Sequence, residues 1–236
     1  TSWGPTQIKV KVPTGAATGK VSVTVNGIKS NEVDFQIGSA AGNYEEVTIG
    51  TQTWMKKNLD VTHYRNGDEI PQVTDADEWE NLTTGAWCYY NNDEANGQVY
   101  GKLYNWYAIN DSRGLAPEGW HIPSTNEWKT LRDYLGNEND AGGPLKESGT
   151  EHWKSPNTGA TNETGFTALP GGERAYTSYS DYRFQLLHDV CYFWSSTYNG
   201  SNVDRIVFTY NYAEFYMGIN LSNTKKYGQS VRCIKD

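Results

Sequence analysis

Sulfur is scarce in this 236-residue chain, which has three cysteines and two methionines. Cys88, Cys191 and Cys233 form no Cys-x-x-Cys pair, which removes zinc ribbons and dithiol redox motifs. An odd count leaves at least one thiol free or paired between chains, and whether Cys88 pairs with Cys191 or with Cys233 stays open. No apolar run approaches the roughly 20 residues of a membrane-spanning helix, so this stretch does not insert into a bilayer. Positive charge is also thin: 20 Lys and Arg stand against 28 Asp and Glu, for a net charge of −8. Phosphate recognition needs clustered cations, and none cluster here, so nucleic acid is not expected as a partner. The chain opens on Thr1, which is compatible with a signal peptide or further domains removed upstream, so the lack of a targeting signal says nothing about location.

Aromatic residues are abundant. They make up 14% of the chain, with nine Trp and 17 Tyr, against an apolar content of only 36%. Large rings can supply the core area that the few aliphatics do not. Disordered chains are poor in aromatics, so a folded protein is expected.

Residues 1–38 read as β structure. Ile8, Val10 and Val12 alternate, as do Val21, Val23 and Val25, and then Val33, Phe35 and Ile37. Period-two alternation of β-branched residues predicts half-buried strands with these side chains inward. Asn26-Gly27 suits a tight hairpin turn between the second and third strands. Three strands fall short of the seven or so of a closed sandwich. Residues 39–44, small and flexible, read as a linker. Residues 45–236 read as a second domain. Short strands are expected over Glu46–Ile49 and Thr51–Met55. Tyr100–Ile109 reads as a short amphipathic helix. Ser124–Leu135 reads as the best helix, with Ser124 and Glu127 forming a capping box, Trp128, Leu131 and Leu135 on one face, and Gly136 as the stop. After Gly165 the chain returns to turns and strands.

A series of phrases then accumulates. It runs from Val47-Thr48-Ile49-Gly50-x-Gln52-x-Trp54-Met55 through Trp87-Cys88-Tyr89-Tyr90-Asn91-Asn92-Asp93 and Tyr100-Gly101-x-Leu103-Tyr104-Asn105-Trp106. It continues with Gly119-Trp120-His121-Ile122-Pro123-Ser124-x-x-Glu127-Trp128, Gly165-Phe166-x-Ala168-Leu169-Pro170-Gly171-Gly172, Phe193-Trp194-Ser195-Ser196-Thr197 and Ser230-Val231-Arg232-Cys233. Together they resemble the Fibrobacter succinogenes major paralogous domain family. The resemblance implies an α+β, C-type-lectin-like fold related to formylglycine-generating enzymes: two helices on a small irregular antiparallel sheet, with the N- and C-terminal strands of the domain adjacent. The stretch from Ile8 to Gly27 resembles the C-terminal half of an immunoglobulin-like IPT/TIG domain, which implies a partial β module acting as an extracellular spacer.

Signs of chemistry are few. The enzymatic relatives hold copper with two reactive cysteines, whereas Cys191 and Cys233 sit in phrases that look structural. His63, His121, His152 and His188 are scattered, with no His-x-x-x-His or His-Glu-x-x-His spacing. No Gly-x-Ser-x-Gly elbow surrounds Ser195 or Ser196. Asn137-x-Asn139-x-Ala141-Gly142 imitates the start of a calcium loop and then fails at its fifth and twelfth positions. Asp75 to Glu78 and Asn91 to Glu94 read as solvated acidic loops. Neither a cofactor nor a metal is expected, and the chain is not expected to be an enzyme.

The tail from Tyr198 to Tyr227 is dense in Tyr, Asn, Ser and Gly, the composition of antibody recognition loops. Core-like phrases frame it on both sides, as a displayed binding surface requires. This arrangement resembles the variable proteins of diversity-generating retroelements, in which a C-terminal stretch is rewritten at adenines. The resemblance implies a variable region over 193–233. Its exposed contacts would be Tyr198, Asn199, Asn202, Asp204, Tyr210, Asn211, Tyr212, Glu214, Tyr216, Asn220, Asn223 and Tyr227, while Val207, Phe208, Ile219 and Val231 would be scaffold. The aromatic cluster from Tyr176 to Tyr182 either borders that surface or covers the core. The expected function is ligand binding by a displayed domain outside the cell, on a cell surface or a virus particle, with a protein or glycan on another cell or particle as partner. The alternative is a constant adhesin domain for carbohydrate or cell-wall polymer, which would present a cleft lined by Trp with acidic and amide partners.

Overall fold

The computed structural model describes residues 2–3, 8–9, 19–35, 44–176, 182–198, 200, 202–222 and 224–236. In the N-terminal part, Gly19–Val21 pairs antiparallel with Val33–Phe35, and Thr24–Val25 with Ile28–Lys29. Asn26 (φ 50°) and Gly27 (φ 79°) form the turn between the latter two. Both residues take the left-handed conformation that a tight two-residue hairpin demands, as the Asn-Gly pair led us to expect. Burial does not follow expectation. Val21, Val23, Val25, Ile28 and Val33 are all exposed. These ladders are two or three residues long and, among the described residues, no second layer covers them. Residues 39–43 of the expected linker, the preceding residues 36–38, and the strand residues Val10 and Val12 lie outside the described residues.

From residue 44 onward the chain is an α+β arrangement of several small antiparallel sheets and a few helices, with no barrel among the described residues. The strands are β1 (Glu46–Ile49), β2 (Gln52–Met55), β3 (Trp87–Cys88), β4 (Leu103–Tyr104), β5 (Trp120–His121), β6 (Gly171–Tyr176), β7 (Tyr182–Leu187), β8 (Val190–Tyr198), β9 (Asn202–Thr209), β10 (Tyr216–Ser222) and β11 (Ile234–Lys235). The helices are α1 (Ala76–Glu80), α2 (Glu94–Tyr100), α3 (Trp106–Ile109) and α4 (Thr125–Leu135). One sheet has the order β5-β11-β2-β1, so Ile234 pairs with Trp54 and the two ends of this part of the chain meet. A second sheet has the order β8-β9-β10. The hairpin of β6 and β7 stands beside it.

α4 forms where the capping box places it. The Ser124 side chain accepts from the Glu127 N–H, and Glu127 accepts from the Ser124 N–H in return. Trp128 and Leu131 are fully buried. Trp128 stacks on Phe193 (5.6 Å between ring centres) and lies 4.6 Å from Trp54. The single helix expected over Tyr100–Ile109 is instead two helices interrupted by a strand. Gly101 has φ 74°, a conformation that ends α2, and Leu103–Tyr104 then pairs with Trp87–Cys88 before α3 begins. The acidic loops have structural roles: Asp75 caps α1 and Asp93 caps α2.

Arg232 ties the closing phrase to the rest. It is buried, and it donates to the carbonyls of Met55 (3.0 Å), Lys56 (2.9 Å) and Phe166 (2.6 Å) and to Asn58 Oδ1. Burial lowers its pKa to about 10. A buried guanidinium is tolerable only when its N–H groups are satisfied in this way.

Candidate binding surface

Cys88, Cys191 and Cys233 are all buried and free. Burial pushes the thiols of Cys88 and Cys233 up to about 12 and that of Cys191 higher still. A thiol held protonated is neither a nucleophile nor a ready metal ligand. The Ser195 hydroxyl is buried and lies 3.0 Å from Thr125 Oγ1, at the start of α4. Thr197 Oγ1 accepts from the Thr125 N–H (2.9 Å). The Phe-Trp-Ser-Ser-Thr phrase therefore holds a helix end. Among the described residues, Glu147, Glu151 and His152 form the one His-carboxylate group with ligand atoms within 4.8 Å of one another. His152 Nδ1 already faces both oxygens of Glu147, at 2.9 and 3.0 Å.

The expected contact residues separate into two groups. β8, β9 and β10 are antiparallel neighbours, so the hairpin tip after Tyr198 and the turn after Thr209 lie at opposite ends of β9. β9 has eight residues, which at about 3.3 Å per residue sets the ends roughly 23 Å apart.

At the tip end, Tyr198 is 38% exposed and packs on Trp106, with 4.7 Å between ring centres. Lys225 Nζ donates to the Tyr198 hydroxyl (2.7 Å) and lies over both rings. Asn202 is half-buried, opposite Ser222. Asn199 and Asn223 lie outside the described residues, and of Asn220 only the backbone, in β10, is described. Beside this end is a cleft of about 280 Å³ lined by Thr83, Trp106, Tyr107, Asn110, Asp111 and Arg113, among others. Arg113 donates to Asp111 through Nε (2.9 Å) and Nη2 (2.8 Å), which holds the carboxyl of Asp111 below its usual range.

At the turn end, Asn211, Tyr212, Glu214 and Tyr216 are exposed, with Tyr212 at 54% and Tyr216 at 58%, and Tyr210 is half-buried. This turn is held from beneath. Lys146 is buried and its ammonium donates to the carbonyls of Thr158 (2.9 Å), Thr209 (2.9 Å) and Tyr212 (2.8 Å). Burial lowers its pKa to about 8. Gly142 and Gly143 both donate to the Ala213 carbonyl, at 2.9 and 3.1 Å. A Cβ on Gly142 would come within 2.2 Å of the Glu214 carbonyl oxygen.

Two expected contacts point inward. Asp204 is 6% exposed, because the β9–β10 register shifts between Val203 and Arg205 and its carboxylate accepts from Thr125 Oγ1 (2.7 Å). Tyr227 is half-buried between two parts of the core. The chain on either side of it is pinned, by Trp106 N to the Lys225 carbonyl (2.9 Å) and by Gly228 N to the Arg174 carbonyl (2.7 Å). Val207, Phe208 and Val231 are buried; the side chain of Ile219 lies outside the described residues. Residues 177–181 also lie outside them, while Tyr176 is exposed.

The larger cleft lies at the turn end. It measures about 580 Å³ and is lined by Thr125, Asn126, Lys129, Arg132, Glu138, Asn139 and Glu214 to Met217. Six of the ten residues of this wall belong to α4 and the loop after it, residues the tail composition could not nominate. For Asn126 and Lys129 the signal was helix periodicity, which turns them away from the Trp128 face.

The chain matches the model of the Fibrobacter succinogenes major domain over residues 47–235. It belongs to that family. No curated protein and no solved structure matches it. The family match starts just after β1 begins and ends within β11, so it spans both ends of the β5-β11-β2-β1 sheet and both clefts.

Proposed function

We propose that this member of the family is a non-catalytic display protein that binds a protein or other macromolecular ligand through its C-terminal Tyr/Asn-rich surface, outside the cell on a cell surface or virus particle. The observation that carries this reading is the cleft at the turn end. There exposed Glu214 and Tyr216 of the tail meet Asn126 and Lys129 of α4, on a turn fixed by the buried Lys146. A rigid frame beneath exposed tyrosines lowers the entropy lost on binding. The C-type-lectin-like fold belongs to this reading and is supported by the pairing of Ile234 with Trp54. The immunoglobulin-like character of residues 1–38 belongs to it as well and is supported by the Asn26-Gly27 hairpin. Diversification by a retroelement is its most specific part. Sequencing the surrounding locus tests it. A near-identical second copy of the segment encoding 193–233, differing only at adenines and lying beside a reverse transcriptase gene, is the expected result; absence of such a copy removes diversification.

A constant carbohydrate-binding adhesin is the second reading, favoured by the cleft that joins Trp106 and Tyr107 to Asn110 and Asp111. Trp106 is only 3% exposed beneath Tyr198, so Tyr107 would supply the stacking face. Loss of polysaccharide retention in Tyr107→Ala would support it.

A further inference from the structure

The larger cleft meets β10 in a particular way. Tyr216 and Met217 are consecutive in the strand and both line it. Successive strand residues point to opposite faces, so a cleft that touches both meets the strand along its edge. β10 is the outer strand of its sheet, bonded to β9 on one side. Among the described residues, no backbone bond links Tyr216–Ser222 to any other segment. An open edge carries unpaired N–H and C=O groups, and these are a template for another strand.

The charges of the cleft select among strands. Lys129 Nζ lies 2.6 Å from Asp133, and Arg132 binds the same carboxylate at 2.9 Å, so two cations share one carboxylate. Glu138 and Glu214 form no ion pair among the described residues. The Phe215 N–H donates to the Glu138 carbonyl (2.7 Å), which sets the two acidic residues on adjacent backbone. With Asp133 counted, three carboxylates stand against the two cations Lys129 and Arg132, so the group carries one surplus negative charge, in a chain of net charge −8.

We propose that this cleft takes an extended, basic peptide segment of a partner protein, added as a fourth strand along β10. A Lys or Arg of that segment would lie against Glu138 and Glu214, and the exposed ring of Tyr216 would flank it. The inference rests on the display reading and names the partner class for one end of the surface. The volume of about 580 Å³ falls within the ~300–1,000 Å³ of ligand clefts.

The test is to pan a random dodecapeptide phage library against the whole chain and measure the selected peptides by fluorescence polarisation. Lys- or Arg-bearing peptides should be enriched. Their Kd should rise about tenfold or more in the Glu138→Gln/Glu214→Gln double variant and stay unchanged in Tyr198→Ala. Amide exchange over 216–222 should slow when they bind. Both Glu side chains are exposed, so the double variant is expected to fold. No enrichment, acidic or neutral winners, affinity indifferent to the double variant, or no protection of 216–222 would each overturn the proposal. Winners that depend on Tyr198 instead would sink the strand-addition site and leave the display reading standing. The locus test decides the diversified form of that reading independently.

Discussion

Single side chains divide the tail into surface and scaffold, and their substitutions should divide in the same way. Tyr212→Ala and Tyr216→Ala remove exposed rings, so each should change stability by no more than about 0.5 kcal/mol while weakening ligand binding. Asp204→Ala deletes the acceptor for Thr125 at the start of α4 and should cost roughly 1–3 kcal/mol in a denaturant titration. The two outcomes come from residues of the same composition class, and that is why the tail's composition could not separate them. Lys146 shows the same limit. Nothing in its sequence neighbourhood marks it as buried, yet it satisfies three carbonyls. Lys146→Met should lower stability by roughly 2–4 kcal/mol, since the carbonyls are left without a donor, and should loosen the turn that carries Tyr212. Amide exchange across 209–213 would report both effects.

At the scale of elements, α4 was legible to the residue because its cap, periodicity and stop are local. What it packs against was not. One strut beside it gives a pH signature. His121 lies 2.7 Å from both Glu127 and Asp236. Burial pulls its pKa down, but the hydrogen bonds to Glu127 and Asp236 outweigh that, and the net shift is upward. Burial raises the Glu127 pKa, but hydrogen bonds from Ser124 and His121 lower it further, and the net shift is downward. The histidine's contribution is therefore full below its ordinary value of about 6.5 and is lost as pH rises through its raised folded value. The glutamate's contribution is full above about 4.3 and is lost as pH falls through its lowered one. The melting-temperature advantage of the wild type over His121→Gln should thus be largest between those two ordinary values and shrink towards pH 9. Its size should be about 1 kcal/mol or less, because the site is partly solvated. Gly142→Ala belongs to this scale too. Its Cβ would collide with backbone of the 213–214 turn, so it should destabilise the protein by roughly 1–3 kcal/mol and weaken any ligand held at the larger cleft.

At the scale of the whole molecule, every buried hydrophobic residue among the described residues lies between Ile49 and Ile234, while residues 20–33 are exposed throughout. Removing residues 1–43 should therefore leave the main thermal transition within about 2 °C of the intact chain, a shift worth less than ~1 kcal/mol at this size. The sequence by itself determined family membership, the α+β character, the capped helix and the Asn26-Gly27 turn. Each of these follows from residues near one another in the chain, or from phrases kept in order along it. Tertiary structure alone decided that the N-terminal valines are uncovered, that Asp204 and Tyr227 turn inward, and that the exposed residues of the tail fall at two opposite ends of β9. An antiparallel strand of eight residues separates its two turns by its own length, and only packing sets which helix stands beside each.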